Sequence, residues 1–313
     1  MPETDDGAAL VAAEAQARDA LRSAPATAHL ADAGFRPVPG GLSNYAWCVT
    51  TSGGEFFVRL ARGRGDMPGV DRINERRVLE LTATAGLSPT VVRCDPAWRL
   101  LVTTWIEAPE PGRGLRGSGE LSVAARTLAS LHALPARSDL RAVDFATQAR
   151  ELERTLGPAR DAAAGLLTRA GEVFARLQAN PVSPVLCHHD LHPLNLLWSR
   201  TGRLWLVDWE YAGLGDPAID LASFVSQHGF DARRRTRLVE AYVAAGGRLE
   251  ATRLDLAQWA FDYVQWLWYR LALASPATGV DAAPARARAD RLARSLQGRA
   301  SRVLRCNNGV FDG

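Results

Sequence analysis

Two periods of apolar residues divide this chain. Residues 8–33 are rich in Ala, Leu, Arg and Glu and predict one or two helices. From residue 34 the pattern changes. Residues 35–38, 45–50 and 56–60 are short apolar or alternating runs of the kind that forms strands. Glycine pairs at 40–41 and 53–54 separate them, and the second pair predicts a hairpin turn. Over residues 70–85 the spacing is that of a helix, with Ile73, Val78 and Leu81 on its apolar face and Gly86 as its stop. Residues 91–92 and 100–106 predict two further strands, joined by a turn at Asp95 and Pro96.

A stretch rich in glycine and proline, residues 108–120, reads as a linker. Beyond it the helical period dominates, at 121–133, 145–156 and 161–178. Residues 185–210 break that run with a strand–loop–strand pattern. Helices return at 217–227, 231–245, 253–273 and 282–303, and residues 307–313 form a loose tail. No internal repeat is present. The pattern predicts an α+β chain: an N-terminal helical extension (1–33), a small β-rich lobe (34–107), a linker (108–120), a larger helical lobe (121–275), and a C-terminal helix with tail (276–313).

Composition narrows the class. Hydrophobic content of 47% and charged content of 23% suit a soluble globular enzyme. The acidic, alanine-rich N-terminus lacks the basic region of a signal peptide, and no apolar run reaches the length of a membrane span. Cys48, Cys94, Cys187 and Cys306 lack CxxC spacing, which suits reduced thiols and a cytoplasmic setting. A net charge of +3 is too small to argue for nucleic acid or a membrane surface as partner. All 37 basic residues are arginine. Any cation that meets a phosphate here is therefore Arg, and chemistry that needs a lysine nucleophile or Schiff base is excluded.

The most informative stretch is Cys187-His188-His189-Asp190-Leu191-His192-Pro193-Leu194-Asn195. A second aspartate, Asp208, follows Asn195 at the end of an apolar run. Phosphoryl transfer needs metal ions on the phosphates, a positioned hydroxyl and positive charge around the transferred group. Asp190 is the candidate base that orients the hydroxyl and accepts its proton. Asn195 and Asp208 are candidate Mg²⁺ ligands, one a neutral oxygen and the other a carboxylate. An alternative reads Cys187, His188, His189, Asp190 and His192 as Zn²⁺ or Ni²⁺ ligands of a hydrolase. Contiguous ligands rarely all face one ion, and Pro193 argues against the helix that an i, i+4 histidine pair would need.

Other residues concern the substrates. Strand alternation would put Glu210 on the same side as Asp208, toward the metal or a cationic substrate. Gly41, Ser43 and Asn44 lie in a glycine-led turn whose backbone N–H groups can approach phosphates. Trp259, Tyr263 and Trp266 recur at i, i+4, i+7 and share one helix face, a candidate cation–π surface for the acceptor. The bland alternative for such a stripe is helix core.

The wording of residues 187–198 and 204–222 resembles the kinase-like phosphotransferases of small molecules: choline kinases, bacterial thiamine kinases and aminoglycoside phosphotransferases. The resemblance spans roughly residues 36–275. It implies a two-lobed protein-kinase-like fold, with ATP as co-substrate and Mg²⁺ as cofactor. It further implies that Arg59 contacts the α- and β-phosphates, where protein kinases carry lysine, and that Glu75 pairs with Arg59. Trp105 and Ile106 would meet adenine through backbone groups. His188 and His192 would hold the catalytic loop in shape, and Asp220 would buttress it. The acceptor implied is a small cationic alcohol, with choline first, thiamine next, then ethanolamine or an aminoglycoside. A catalytically idle binding protein of the same fold is the rival of a different class; the complete set Asp190, Asn195 and Asp208 argues against it.

Overall fold

The computed structural model describes residues 3–39, 44–62, 69–157, 164–274 and 282–305. The chain forms two compact units. Unit 1 comprises Met1–Pro111 and Leu197–Tyr211, and unit 2 comprises Gly112–Leu196 and Ala212–Gly313.

Unit 1 is built on a five-stranded antiparallel sheet in the order β1-β2-β3-β5-β4. Its strands are β1 (Gly34–Pro37), β2 (Asn44–Thr51), β3 (Gly54–Ala61), β4 (Val91–Asp95) and β5 (Leu100–Thr104). Thr51 pairs with Gly54 across the expected hairpin, and Gly54 takes a φ of 129° that favours glycine. Alternation then sorts the side chains. Trp47, Val49, Val58, Leu60, Leu100 and Val102 form one core cluster with Ala13, Ala17, Ala20 and Leu21 of helix α1 (Glu3–Arg22). Arg59 lies between two of those buried strand positions and is therefore directed to the other face. A short helix α2 (Pro25–Ala28) follows α1.

Helix α3 (Arg72–Thr84) starts at Asp71, whose carboxylate accepts the N–H groups of Ile73 and Asn74. It ends as Gly86 predicts: the Gly86 N–H reaches Ala83 O at 3.0 Å, the Leu87 N–H reaches Thr82 O at 2.8 Å, and Gly86 has a φ of 70°. The expected apolar face holds at Val78, which is fully buried, and Leu81 is half-buried, but Ile73 is corrected. Ile73 is 51% exposed, whereas Arg72, Asn74 and Glu75 are buried beside Val78 and Leu79. Buried ion pairs at the start of this helix outrank the apolar stripe. Strands β7 (Leu196–Trp198) and β8 (Leu204–Leu206) form a separate two-stranded ladder, and the Leu206 N–H joins Leu87 O at 2.9 Å.

Unit 2 is mainly helical: α4 (Ser118–His132), α5 (Phe145–Leu156), α6 (Ala164–Ala179), α7 (Pro217–Gln227), α8 (Ala232–Ala244), α9 (Ala251–Ala274) and α10 (Ala282–Arg305). Helix α4 begins inside the stretch read as linker. Helix α9 packs against α5, α6, α7 and α10, and is buried on nearly every side. A small antiparallel pair, β6 (Val185–Cys187) and β9 (Gly213–Gly215), carries the loop around Asp190. The sequence pattern did not predict β9, which is three residues long with two glycines. No helix among the described residues is long and apolar enough to cross a membrane.

Candidate active site

Within unit 2, β6 delivers the chain into a loop that is braced from below. Asp220, fully buried on α7, accepts the backbone N–H groups of His188 at 2.8 Å and His189 at 2.6 Å. His132 Nε2 lies 3.1 Å from the same carboxylate, and its Nδ1 lies 2.7 Å from the Tyr242 hydroxyl. Burial works against the Asp220 charge. The His132 hydrogen bond, the nearby histidine rings and the backbone donors outweigh it and hold the carboxyl at about 2.

Local hydrogen bonds shape the loop itself. His188 Nδ1 accepts the Asp190 N–H at 3.3 Å, and the Leu191 N–H donates to Ser223 Oγ at 3.1 Å. His192 caps the 3₁₀ turn Pro193–Asn195 by accepting the Leu194 N–H at 3.2 Å through Nδ1. Burial pushes His192 down to about 4, so it is neutral near pH 7. The proton then sits on Nε2, which lies 3.6 Å from Asp190 Oδ2. Asn195 donates its amide to the Asp190 backbone oxygen at 2.9 Å and to Asp190 Oδ2 at 3.2 Å. The Asp190 side chain keeps 22% of its surface accessible. His188, His192 and Asp220, expected from the resemblance as loop supports, thus each bond a backbone N–H group of this loop.

The sequence offered no role for His189. It takes a φ of 66°, and its ring lies against Phe145. A Cβ on Gly215 would stand 2.6 Å from His189 Nε2, so glycine at that position makes room for the ring. The hydrolase alternative does not assemble. Among the described residues, the group able to gather on one ion is His132, Cys187 and Asp220, and its carboxylate is already spent on the loop. Burial also raises the Cys187 thiol well above its ordinary range.

Within unit 1, a second constellation forms around Arg59. Its guanidinium donates to Glu75 Oε2 at 2.7 Å and to Asp208 Oδ1 at 2.9 Å. Burial opposes the Arg59 charge, but Glu75, with Asp208 and Glu210 beyond it, holds the group above its ordinary range. Glu75 moves in the opposite sense: Arg59 and Arg72 overcome its burial and lower it. Asp208 is not at a strand end. Strand β8 stops at Leu206, and Asp208 turns the chain with a φ of 65°. Its side chain is 33% exposed.

Several expected ligand contacts are corrected. Glu210 is 3% exposed and pairs with Arg72 at 3.1 Å, so it does not face a substrate. The strand alternation invoked for it is absent, because residues 208–210 form no strand. The Asn44 amide is held at both ends, donating to Glu210 at 3.1 Å and accepting from Arg72 at 3.4 Å. Trp259 and Tyr263 are fully buried and Trp266 is 3% exposed. Trp259 Nε1 donates to Leu296 O on α10, and the Tyr263 hydroxyl donates to Glu153 on α5 at 2.8 Å. The three rings stack on one another as core. Gly41 and Ser43 lie outside the described residues. Trp105 and Ile106 follow β5 half-buried, with the Trp105 N–H bonded to Glu55 O at 3.0 Å. Sequence reasoning missed Arg72, His132, Tyr242 and Ser223. Arg72 left a faint signal, a basic residue three before Glu75 on the same helix face.

Each unit has a distinct chemical capacity. The unit 2 loop presents a carboxylate able to take a proton, with an amide fixed beside it. Unit 1 presents a buried guanidinium and a partly exposed carboxylate, groups suited to phosphate and to a hard cation.

A family model described as APH, phosphotransferase enzyme family, matches residues 34–261. Among solved structures, the chain is similar to a choline/ethanolamine kinase family protein from Mesorhizobium loti. The TM-score is 0.74 at 26% identity, covering 92% of this chain and 97% of that one. Over 71 residues it is 34% identical to the protein LicA of Haemophilus influenzae, covering 23% of this chain and 26% of LicA. Over 88 residues it is 38% identical to a thiamine kinase of Salmonella heidelberg, covering 28% of this chain and 30% of that enzyme. These two matches thus span less than a third of either relative.

Proposed function

We propose, from the premise that this chain belongs to the phosphotransferase enzyme family, that it moves the γ-phosphoryl group of ATP to the hydroxyl of a small alcohol. The observation that carries this reading is the Asp190 loop. Asp220 and His188 hold the backbone of the loop, the Asn195 amide meets the Asp190 carboxylate at 3.2 Å, and that carboxylate keeps an accessible edge. Asp190 orients the acceptor hydroxyl and accepts its proton as the oxygen attacks phosphorus. Neutral His192 places Nε2 3.6 Å from the same carboxylate.

The residue types suit Mg²⁺. In unit 2, Asn195, its nitrogen committed to Asp190, is left with its amide oxygen for a cation; in unit 1, Asp208 offers a partly exposed carboxylate. When bound, the ion neutralises phosphate charge. Arg59, which no ordinary pH discharges, supplies the fixed positive charge of unit 1 toward the nucleotide phosphates.

Choline is the leading acceptor, on the strength of the Mesorhizobium loti relative, whose name joins choline and ethanolamine. Thiamine is the second reading, favoured by the 38% identity to the Salmonella enzyme. The buried Trp259, Tyr263 and Trp266 give no support to either. The test is ADP release by purified protein with ATP and Mg²⁺, against choline, ethanolamine, thiamine and kanamycin in turn. Turnover with choline is expected; turnover with thiamine alone would replace that acceptor, and no turnover on any of the four would remove the small-alcohol reading.

A further inference from the structure

The buried charges of unit 1 form one connected ring. Asp208 meets Arg59 at 2.9 Å, Arg59 meets Glu75 at 2.7 Å, Glu75 meets Arg72 at 2.9 Å, and Arg72 meets Glu210 at 3.1 Å. Trp209 closes the ring covalently between Asp208 and Glu210. It is 1% exposed, with its indole N–H on Leu206 O. A single oxygen of Glu75, Oε2, serves both arginines. Asn44, the first residue of β2, is tied in through both ends of its amide.

We propose that Arg72 and Glu210 are positioning residues for the nucleotide. Together they clamp Asn44, at the start of β2, to the segment that carries Asp208, and so fix both relative to Arg59. The inference rests on the assignment of unit 1 to the nucleotide.

The physical case has three parts. First, Asp208 holds a φ of 65°, a left-handed angle that is uncommon for a non-glycine residue. The Arg72–Glu210 pair anchors that turn two residues downstream, while Arg59 anchors the Asp208 side chain. Second, the pair is buried, with 7% and 4% of the side-chain surfaces exposed. Loss of Arg72 takes a buried counter-charge from Glu210, and loss of Glu210 leaves Arg72 to share Glu75 with Arg59, so the local structure must rearrange. Third, three carboxylates share two guanidiniums. Without Arg72, Glu75 turns wholly to Arg59, and Arg59 is then less available to phosphate.

Position and charge predict opposite effects for one substitution, and this makes the test sharp. If the pair acted only through charge, Glu210→Gln would remove a negative group and tighten binding of an anionic nucleotide. If it positions, Glu210→Gln weakens binding, as Arg72→Met does. The experiment is calorimetric titration of the full-length protein with a nonhydrolysable ATP analogue and Mg²⁺, alongside KM values for ATP and for the acceptor. Variants are Arg72→Met, Glu210→Gln and the double variant. Glu210→Gln is nearly isosteric, so the test stands even if Arg72→Met fails to fold. The expected result is nucleotide binding about tenfold weaker in each single variant, with the double variant no worse than the weaker single. The acceptor KM should stay within about twofold. Unchanged or tighter binding by Glu210→Gln overturns the inference, as does an equal rise in both KM values. Failure of the unsubstituted protein to bind the nucleotide would instead overturn the assignment of unit 1 to ATP.

Discussion

Asp220 accepts hydrogen bonds from His188, His189 and His132, and these three contacts set the backbone on which Asp190 stands. Its carboxyl titrates at about 2 in the folded chain, against 3.8 for the free group. A folded value below the unfolded one means that stability is present above about pH 4 and is lost as pH falls through about 2. The difference corresponds to about 2 kcal/mol near neutral pH. Asp220→Asn should therefore lower unfolding free energy by about that amount at pH 7. The gap to the parent protein should close as the pH drops from 4 toward 2. Denaturant midpoints measured across that range check it, and equal midpoints at pH 7 would show that the carboxylate is no brace.

At the scale of elements, α9 shows how periodicity misleads. Trp259, Tyr263 and Trp266 do share a face, as the spacing required, but the face is covered by α10 and α5. An i, i+4, i+7 stripe reports burial; it does not report what buries it. Trp259→Ala should accordingly behave as a core deletion, costing about 3–5 kcal/mol and leaving the acceptor KM of the folded protein unchanged. Thermal melts with parallel kinetics decide it; a raised acceptor KM with intact stability would return Trp259 to the substrate. Helix α3 gives the converse case. Its stop was legible at Gly86, yet its buried face begins with Arg72, Asn74 and Glu75 rather than Ile73, because two buried arginines draw the start of the helix inward.

At the scale of the whole molecule, the division into a β-rich first part and a helical remainder was plain, because periods of two and 3.6 are local properties of sequence. The loop around Asp190 was legible for a related reason: its polar residues crowd into nine positions flanked by apolar strands. What stayed hidden was long-range. Nothing local in residues 197–211 says that they pack within unit 1, and the 149-residue separation of Arg59 and Asp208 leaves their pairing without a sequence pattern of its own. Glu210 was read as a strand residue for the same reason, since the turn at Asp208 is held by partners far along the chain. The central claim is phosphoryl transfer from ATP that depends on residues of both units. Its most direct measurement is Mg²⁺-dependent ADP release with pooled choline, ethanolamine, thiamine and kanamycin, in the parent protein and in Asp190→Ala and Asp208→Ala. The account predicts acceptor-dependent turnover that falls by about 10²–10⁴ in Asp190→Ala and is abolished in Asp208→Ala, with circular dichroism unchanged. Persistence of full turnover in both variants would contradict it.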